Sequence, residues 1–250
     1  MDIAKFNTSG SLILAGIASL FFTFAAPLQA QTLDLSARTA NDLKRDITSK
    51  PAEIIEFAGV KKGSKVLDLL GGAGYYSQIL KRAVGPKGSV VLQNNQAYIK
   101  YLGKYLNEKK AKGHLDGITE LVSEVDDLKL GTGQFDTAFL VLGYHDFFYQ
   151  EPGWAFDVET AMPQLYKSLK PGGKLLIIDH NAAKGRGIKD AEKLHRIEDV
   201  FVRADLEKRG FKFIKALDIL KNDSDDHTIN VFKPEIRRKT DRFVMLFEKV

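Results

Sequence analysis

The sequence predicts a single doubly wound α/β domain, an open parallel sheet with helices on both faces. Short apolar runs alternate with helical stretches from residue 65 to residue 180, and this alternation is typical of a parallel sheet. A glycine-rich turn directly follows the first apolar run. The last two runs alternate apolar and polar residues, which favours an antiparallel pair at one edge. We therefore expect seven strands, with the last pair antiparallel.

The elements are expected in the following order. A helical region extends from about Ser36 to Ala58, and Pro51 opens its second part. Helices also follow the glycine turn, the second strand and the fourth strand, and one charged helix is predicted over residues 189–210. The predicted strands are KVLDLL, SVVLQ, ITELVSE, FDTAFLVLG, GKLLIID, FKFIKALDIL and RFVMLFEKV.

Composition excludes several classes of protein. The 250 residues are 44% hydrophobic and 28% charged, as in an ordinary globular protein. The 37 Lys and Arg exceed the 32 Asp and Glu by only five, with the two signs interspersed, so nucleic acid is not an expected partner. The absence of cysteine excludes disulfides, Cys-ligated zinc and a thiol nucleophile. Residues 31–250 show no repeat and no linker, which predicts one domain.

The first thirty residues have the layout of an export signal. An uncharged apolar run, SLILAGIASLFFTFAAP, follows Lys5 and ends near small residues, which predicts cleavage after Ala30. The run is about 17 residues long, close to the lower limit of a membrane span, so an uncleaved anchor is the alternative. We therefore expect an exported, periplasmic protein that contacts the membrane only if this segment is retained.

The turn after the first strand is the expected ligand site. Gly71, Gly72 and Gly74 lie where a strand end meets a helix start, so a ligand can approach the backbone closely; a tight turn without a ligand is the alternative. Asp68 stands just before the turn, where a carboxylate can hold a cationic amine. A dinucleotide site would not favour this carboxylate and would place an acidic residue after the second strand, which instead ends QNN. These residues favour an amino-acid-bearing cofactor and leave hydride transfer as the weakest hypothesis.

The segment VLDLLGGAGYYSQIL resembles the first motif of class I S-adenosylmethionine-dependent methyltransferases, V-L-D-x-G-x-G-x-G. GQFDTAFLVLGYHDF and LKPGGKLLIIDH resemble the fourth and fifth strands of that family. DHNAAKG, LHRIE, DDHTINVF and KTDRFVMLFEK are similar to a bacterial subgroup of exported methyltransferases. The resemblance implies a Rossmann-like methyltransferase sheet, S-adenosylmethionine as cofactor, and methyl transfer to a small-molecule acceptor.

The resemblance also implies a set of cofactor contacts, with two departures from the family pattern. Leu70 replaces the first glycine, and Asn94 replaces the acidic residue that accepts the ribose hydroxyls. S-adenosylmethionine is made in the cytoplasm, so an exported protein would meet little of it. For this reason, and because of the two departures, an exported module that binds another ligand is the alternative function. A solvated acidic turn is the alternative for SEVDDL. The implied contacts are Asp68, Gly71, Gly72 and Gly74 near the methionine end, Asn94 at the ribose, Glu124 or Asp126 at the adenine, and Gly143 with Tyr144 closing over the cofactor.

Methyl transfer needs alignment of donor and acceptor, with a base if the acceptor must lose a proton. His145 follows the fourth strand beside the expected methyl group, and we predict that it is this base, oriented by Asp146 or Asp179. A structurally capped histidine is the alternative. His180 ends the fifth strand on the same rim, where polar residues tend to face a ligand.

Three further groups have two interpretations each. His195 and Arg196 form either an anion clamp or a surface pair. For the loop DSDDH (residues 223–227), a self-capping turn is preferred to a metal site. No metal is therefore predicted. The aromatic residues divide by position: Tyr98, Tyr101 and Tyr105 have helical spacing and are predicted to pack, whereas Phe147, Phe148 and Trp154 are predicted to shape an apolar acceptor site.

Overall fold

A computed structural model describes Met1 and residues 33–36, 38–151 and 153–250. The predicted export segment, residues 1–30, therefore lies outside the described residues apart from Met1. Among the helices that are described, none combines the length and the apolar character needed to cross a bilayer.

Seven strands form one sheet in the order β3-β2-β1-β4-β5-β7-β6. The five strands β1 to β5 pair in parallel, and β7 runs antiparallel to both β5 and β6. The predicted doubly wound sheet with its antiparallel edge pair is confirmed. The strands are β1 (Lys65–Leu69), β2 (Ser89–Asn94), β3 (Thr119–Val122), β4 (Phe135–Val141), β5 (Leu169–His180), β6 (Phe211–Ala216) and β7 (Arg242–Lys249).

Helices cover both faces of this sheet. Successive residues of β1 enter different apolar clusters, with Leu67 and Leu69 in one and Val66 in the other, as the alternation of side chains along a strand requires. The predicted helical region near the N-terminus is two helices, joined by Lys50 in the left-handed conformation (φ 45°). The helices are α1 (Ala40–Ser49), α2 (Pro51–Ala58), α3 (Tyr75–Val84), α4 (Gln96–Ala111), α5 (Val158–Ser168), α6 (Ala191–Leu194) and α7 (Asp199–Lys208), with 3₁₀ turns at His145–Phe148 and Asp218–Leu220.

The prediction of a single charged helix over residues 189–210 is wrong. The chain leaves the helical conformation at His195, which has a left-handed φ of 53°. Ile197 then extends the sheet: its N–H donates to the carbonyl of His180 at 2.9 Å, and its own carbonyl accepts from Ala182 at 3.1 Å. Because these backbone bonds replace helical ones, the break brings His195 back to the carboxyl end of β5.

Candidate functional site

A cleft of about 1760 Å³ lies at the carboxyl ends of β1, β4 and β5. Its walls come from α1, the glycine turn, α4, the loop after β4 and the break around His195. A pocket for one small ligand typically measures about 300 to 1,000 Å³, so the cleft has room for two. This is the position expected of a ligand site in an open α/β sheet.

Asp68 is buried beneath the glycine turn and lines the cleft, with 1% of its surface exposed. Its Oδ2 accepts a hydrogen bond from the Ser77 hydroxyl, in the first turn of α3, at 2.5 Å. Burial raises the pKa of Asp68 to about 6, although the bonds from Ser77 lower it in part. A positive charge favours the ionised form of such a carboxyl, so Asp68 would gain from a cationic ligand.

The glycine turn explains both departures from the family pattern. A Cβ at Gly71 would lie 2.5 Å from Asp68 Oδ2, so this position excludes every side chain. Leu70 itself adopts the left-handed conformation of a glycine, with φ 50°. Asn94 forms two bonds with the Gly72 peptide, accepting from its N–H and donating to its carbonyl, both at 2.9 Å. The Asn94 amide therefore holds the turn in place.

Cationic side chains from α1 and α4 surround the same end of the cleft. The guanidinium of Arg45 lies 3.8 Å from the centre of the Tyr75 ring. Lys109 pairs with Asp42 at 2.8 Å and donates to the carbonyl of Ala73, within the turn, at 3.2 Å. Sequence reasoning did not identify Arg45 or Lys109, because helical spacing alone does not show which face of a helix meets the turn.

His145 lies between two carboxylates. Its backbone N–H donates to Asp179 Oδ2 at 3.0 Å, its Nδ1 is 2.7 Å from Asp179 Oδ1, and its Nε2 is 3.1 Å from Asp146 Oδ1. Burial lowers the pKa of His145, but the charges of Asp179 and Asp146 outweigh burial and hold it well above its usual range. Its predicted role as a base remains a prediction, and Asp179 rather than Asp146 orients its Nδ1.

Two further histidines face the same part of the cleft. His180 Nδ1 is 2.7 Å from Thr240 Oγ1, and burial together with the charge of His145 holds the pKa of His180 well below its usual range. His195 Nδ1 is 3.9 Å from Asp146 Oδ1 and has no hydrogen-bond partner among the described residues. Burial and His145 also lower the pKa of His195.

A family comparison decides what kind of site this is. The sequence model of the ubiE/COQ5 methyltransferase family matches residues 44–198, more than half of the chain. The chain belongs to the ubiE/COQ5 methyltransferase family. It is similar to the ubiquinone/menaquinone biosynthesis C-methyltransferase UbiE of Haemophilus ducreyi, with 30% identity over 50% of this chain and 44% of that protein. The protein of the same name from Shewanella frigidimarina is 26% identical over 66% of this chain and 59% of that protein.

The chain thus spans about half the length of the curated relatives it matches. Among solved structures, a SAM-dependent methyltransferase from Aquifex aeolicus has a TM-score of 0.60 and 23% identity, covering 83% of this chain and 93% of that one. An S-adenosylmethionine-dependent methyltransferase from Mesorhizobium loti has a TM-score of 0.53 and 17% identity, covering 79% and 96%. At these identities the neighbours establish the methyltransferase fold alone.

S-adenosylmethionine is the cofactor of this methyltransferase family, and the cleft fits it. Asp68 presents a buried carboxylate suited to the ammonium group of the cofactor, beside Gly71, where no side chain fits. Arg45 lines the same end and suits a carboxylate. Glu124, which accepts the N–H of Gln96 at 3.0 Å, lines the cleft on the side of β2 and β3.

The structure brings together only part of the predicted methyltransferase site. Seven of the predicted residues line the cleft: Asp68, Gly71, Gly72, Glu124, His145, Asp146 and His180. Gly74, Asn94, Asp126, Gly143 and Tyr144 do not. The Tyr144 side chain is fully buried and its hydroxyl donates to Asp205 at 2.5 Å, and a Cβ at Gly74 would lie 2.7 Å from Leu115. Direct cofactor contact by these five is not favoured, and their roles remain predictions.

Arg196 is not an anion clamp. It is fully buried, and its guanidinium makes two bonds of 2.9 Å with Asp225 and one of 3.0 Å with the carbonyl of Asn181. Within the loop 223–227, His227 Nε2 is 3.0 Å from Asp241. Asp225 also accepts the backbone N–H of His227 at 3.1 Å, so the loop caps itself as its preferred interpretation predicts.

The aromatic predictions are partly wrong. Tyr101 is 78% exposed and Tyr105 is 38% exposed, so neither packs into the core. Tyr98 lines the cleft and makes an edge contact with Trp154, at 6.0 Å between ring centres. Phe147 stacks on a neighbouring phenylalanine in the core. Of the three aromatic residues predicted at the acceptor site, Trp154 alone lines the cleft.

Proposed function

We propose that this chain transfers the methyl group of S-adenosylmethionine to a small-molecule acceptor bound in the same cleft. The observation that carries the proposal is Asp68, a buried carboxylate at the end of β1 beside Gly71, a position with no room for a side chain. Family membership supports this function and gives no support to a non-catalytic module. The size of the cleft supports simultaneous binding of the two substrates.

In this proposal the chain acts by alignment. Asp68 binds the ammonium group, Arg45 binds the carboxylate and Glu124 lies toward the adenine, so three contacts fix the cofactor along the strand ends. When bound, S-adenosylmethionine supplies an electrophilic methyl group. The buried pair of Lys109 and Asp42 holds α1 and α4 against the turn and keeps this end of the cleft in shape.

The acceptor is proposed to bind on the side of His145, Asp146 and His180. Aromatic side chains also reach this cleft, among them Tyr149 and Trp154. The relatives are named for ubiquinone and menaquinone biosynthesis, and such aromatic faces would suit an acceptor that contains an unsaturated ring. Ring contacts of this kind favour offset or edge-to-face packing.

Calorimetry with S-adenosylmethionine, and with S-adenosylhomocysteine as a non-reacting analogue, tests the proposal. We expect the purified chain to bind both, and Asp68→Asn to weaken binding about 10- to 100-fold, because a hydrogen bond to a charged group contributes about 1.5 to 3 kcal/mol. The matched control is Asp223→Asn, whose side chain is 84% exposed and pairs with Lys221. Absence of heat at millimolar ligand in the unaltered chain would overturn the function.

We also propose that residues 1–30 direct export, with cleavage after Ala30. The support is the uncharged apolar run after Lys5 and the small residues at its end. Mass spectrometry of the chain recovered from a bacterial host tests this. A mature N-terminus at Gln31 is the expected result, and an intact segment in the membrane fraction would establish the anchored alternative.

A further inference from the structure

Three side chains at one wall of the cleft converge on a single point. Among the described residues, His145, Asp146 and His195 each offer one ligand atom, and these atoms all lie within 4.8 Å of one another. Asp146 Oδ1 is 3.1 Å from His145 Nε2 and 3.9 Å from His195 Nδ1. All three residues line the cleft. We call this group the histidine cluster.

His195 is held in place at a cost to the fold. Its backbone has φ 53°, a left-handed conformation that costs a residue with a Cβ about 1 to 2 kcal/mol. Its ring packs 4.8 Å from the Phe232 ring and 5.1 Å from the Tyr149 ring, measured between centres. Its Nδ1 is buried and has no hydrogen-bond partner in the part of the chain that the structure describes. A strained, oriented imidazole with a free nitrogen is typical of a functional position.

The Asp179 carboxylate orients the His145 ring. Asp179 is fully buried at the end of β5 and contacts His145 Nδ1 at 2.7 Å, which leaves Nε2 directed toward Asp146. Histidines that bind metals usually have their other ring nitrogen bonded in this way to a carboxylate or a carbonyl. Asp179 itself is held by the backbone N–H of His145 and of His180. Asp179 therefore already supplies the contact that orients a metal-binding histidine.

We propose that the histidine cluster binds one divalent transition-metal cation of the Zn²⁺ class. Two imidazole nitrogens and one carboxylate oxygen suit such cations, whereas Mg²⁺ and Ca²⁺ prefer oxygen ligands. Ligands about 2.0 to 2.2 Å from a tetrahedral zinc lie about 3.3 to 3.6 Å from one another. The two separations from Asp146 Oδ1, 3.1 and 3.9 Å, lie on either side of this range. Three protein ligands leave the fourth position open toward the cleft, where water or an oxygen atom of a bound small molecule completes the coordination.

A hydrogen bond between His145 and Asp146 is the competing account of the same atoms. It satisfies His145 Nε2, but it leaves His195 Nδ1 without a hydrogen-bond partner among the described residues. A shared cation would satisfy both nitrogens. Metal binding at the histidine cluster does not depend on cofactor binding, because Asp68, Arg45 and Glu124 are not members of the cluster. The cluster shares His145 and Asp146 with the proposed acceptor side of the cleft.

The test uses the untagged, purified chain after treatment with a chelator. Zn²⁺ binding is measured by calorimetry and by metal analysis after dialysis, and Co²⁺ serves as a spectroscopic probe of nitrogen and oxygen ligation. The test variant is His195→Asn, because Asn tolerates the left-handed conformation while the imidazole is removed. The matched control is His227→Asn, which alters another left-handed histidine (φ 63°) that lies beside a carboxylate outside the cluster.

We expect one Zn²⁺ per chain in the unaltered protein and in His227→Asn. Binding should weaken about 100-fold or more in His195→Asn and in Asp146→Asn, since loss of a residue that only orients a metal ligand typically costs 10- to 100-fold. No stoichiometric Zn²⁺ in the unaltered chain, or equal affinity in His195→Asn, would overturn the proposal. S-adenosylhomocysteine binding is measured on the same samples, and its presence without Zn²⁺ would reject the metal site while leaving the proposed function intact.

Discussion

Two buried aspartates stand at the carboxyl ends of β1 and β5, and the chain surrounds them differently. Asp179 accepts the backbone N–H groups of His145 and His180 and contacts the His145 ring. Asp68 is equally buried, but its donor is Ser77, and burial raises its pKa to about 6. Hydrogen bonds from the chain itself thus satisfy Asp179, which makes it a positioning residue. The ionised form of Asp68 would instead be stabilised by a positively charged ligand.

The largest effect is expected from Asp179→Ala. This substitution leaves two backbone N–H groups and a ring nitrogen of His145 without their acceptor in the core. We expect the free energy of unfolding to fall by about 3 to 5 kcal/mol, measured by urea denaturation. Glu248→Ala is the control, because its pair with Lys174 is 31% exposed on both sides and should contribute less than about 1 kcal/mol. Equal effects would show that Asp179 is not held as described.

The next effect is the contribution of Asp68 to the pH dependence of stability. Its pKa is about 6 in the folded chain and 3.8 without burial, so the folded state holds this proton more tightly than the unfolded state. Unfolding then releases a proton, and rising pH favours it. The contribution is complete below about pH 4 and is lost as the pH rises through 6, at a cost of about 3 kcal/mol.

Asp68→Asn isolates this contribution from those of other carboxyl groups. The difference in unfolding free energy between Asp68→Asn and the unaltered chain should increase by about 3 kcal/mol between pH 4 and pH 7, in favour of the variant. Urea denaturation at several pH values measures this difference. A difference that stays constant over the range would contradict the raised pKa of Asp68.

Smaller effects are expected in the turn that covers Asp68. A Cβ at Gly71 would lie 2.5 Å from the Asp68 carboxylate and 2.6 Å from Leu92, so Gly71→Ala should cost about 2 to 3 kcal/mol through overpacking. At Gly72 the nearest atom to a Cβ is 3.6 Å away and only the φ of 62° is unfavourable. Gly72→Ala should therefore cost about 1 kcal/mol. Thermal denaturation measures the stability of both variants. A larger loss of stability in Gly72→Ala than in Gly71→Ala would show that the turn does not contact Asp68 closely.

Most of the fold follows from the sequence because its signals are local. The glycines after β1 and the apolar runs that alternate with helical stretches predict seven strands with helices between them. The structure confirms this sheet. The break within residues 189–210 could not be predicted, because it depends on backbone pairing of Ile197 with the end of β5. Helix propensity near His195 contains no information about that pairing.

The site is less predictable than the fold, because side-chain direction decides it. Asp68 and His145 can be proposed from their positions at strand ends, and both line the cleft. Tyr144 is adjacent to His145 in sequence but points into the core toward Asp205. Arg45 comes from a helix with no motif and reaches the cleft only through the packing of α1.

Proton release on ligand binding tests the central claim most directly. Calorimetry of S-adenosylhomocysteine binding at pH 6, in two buffers of different ionisation enthalpy, gives the number of protons exchanged. Because Asp68 with a pKa of about 6 is half protonated at this pH, pairing with the ligand ammonium should release about half a proton from the unaltered chain and almost none from Asp68→Asn. Tight binding with equal proton release in both proteins would contradict an ion pair between Asp68 and the cofactor.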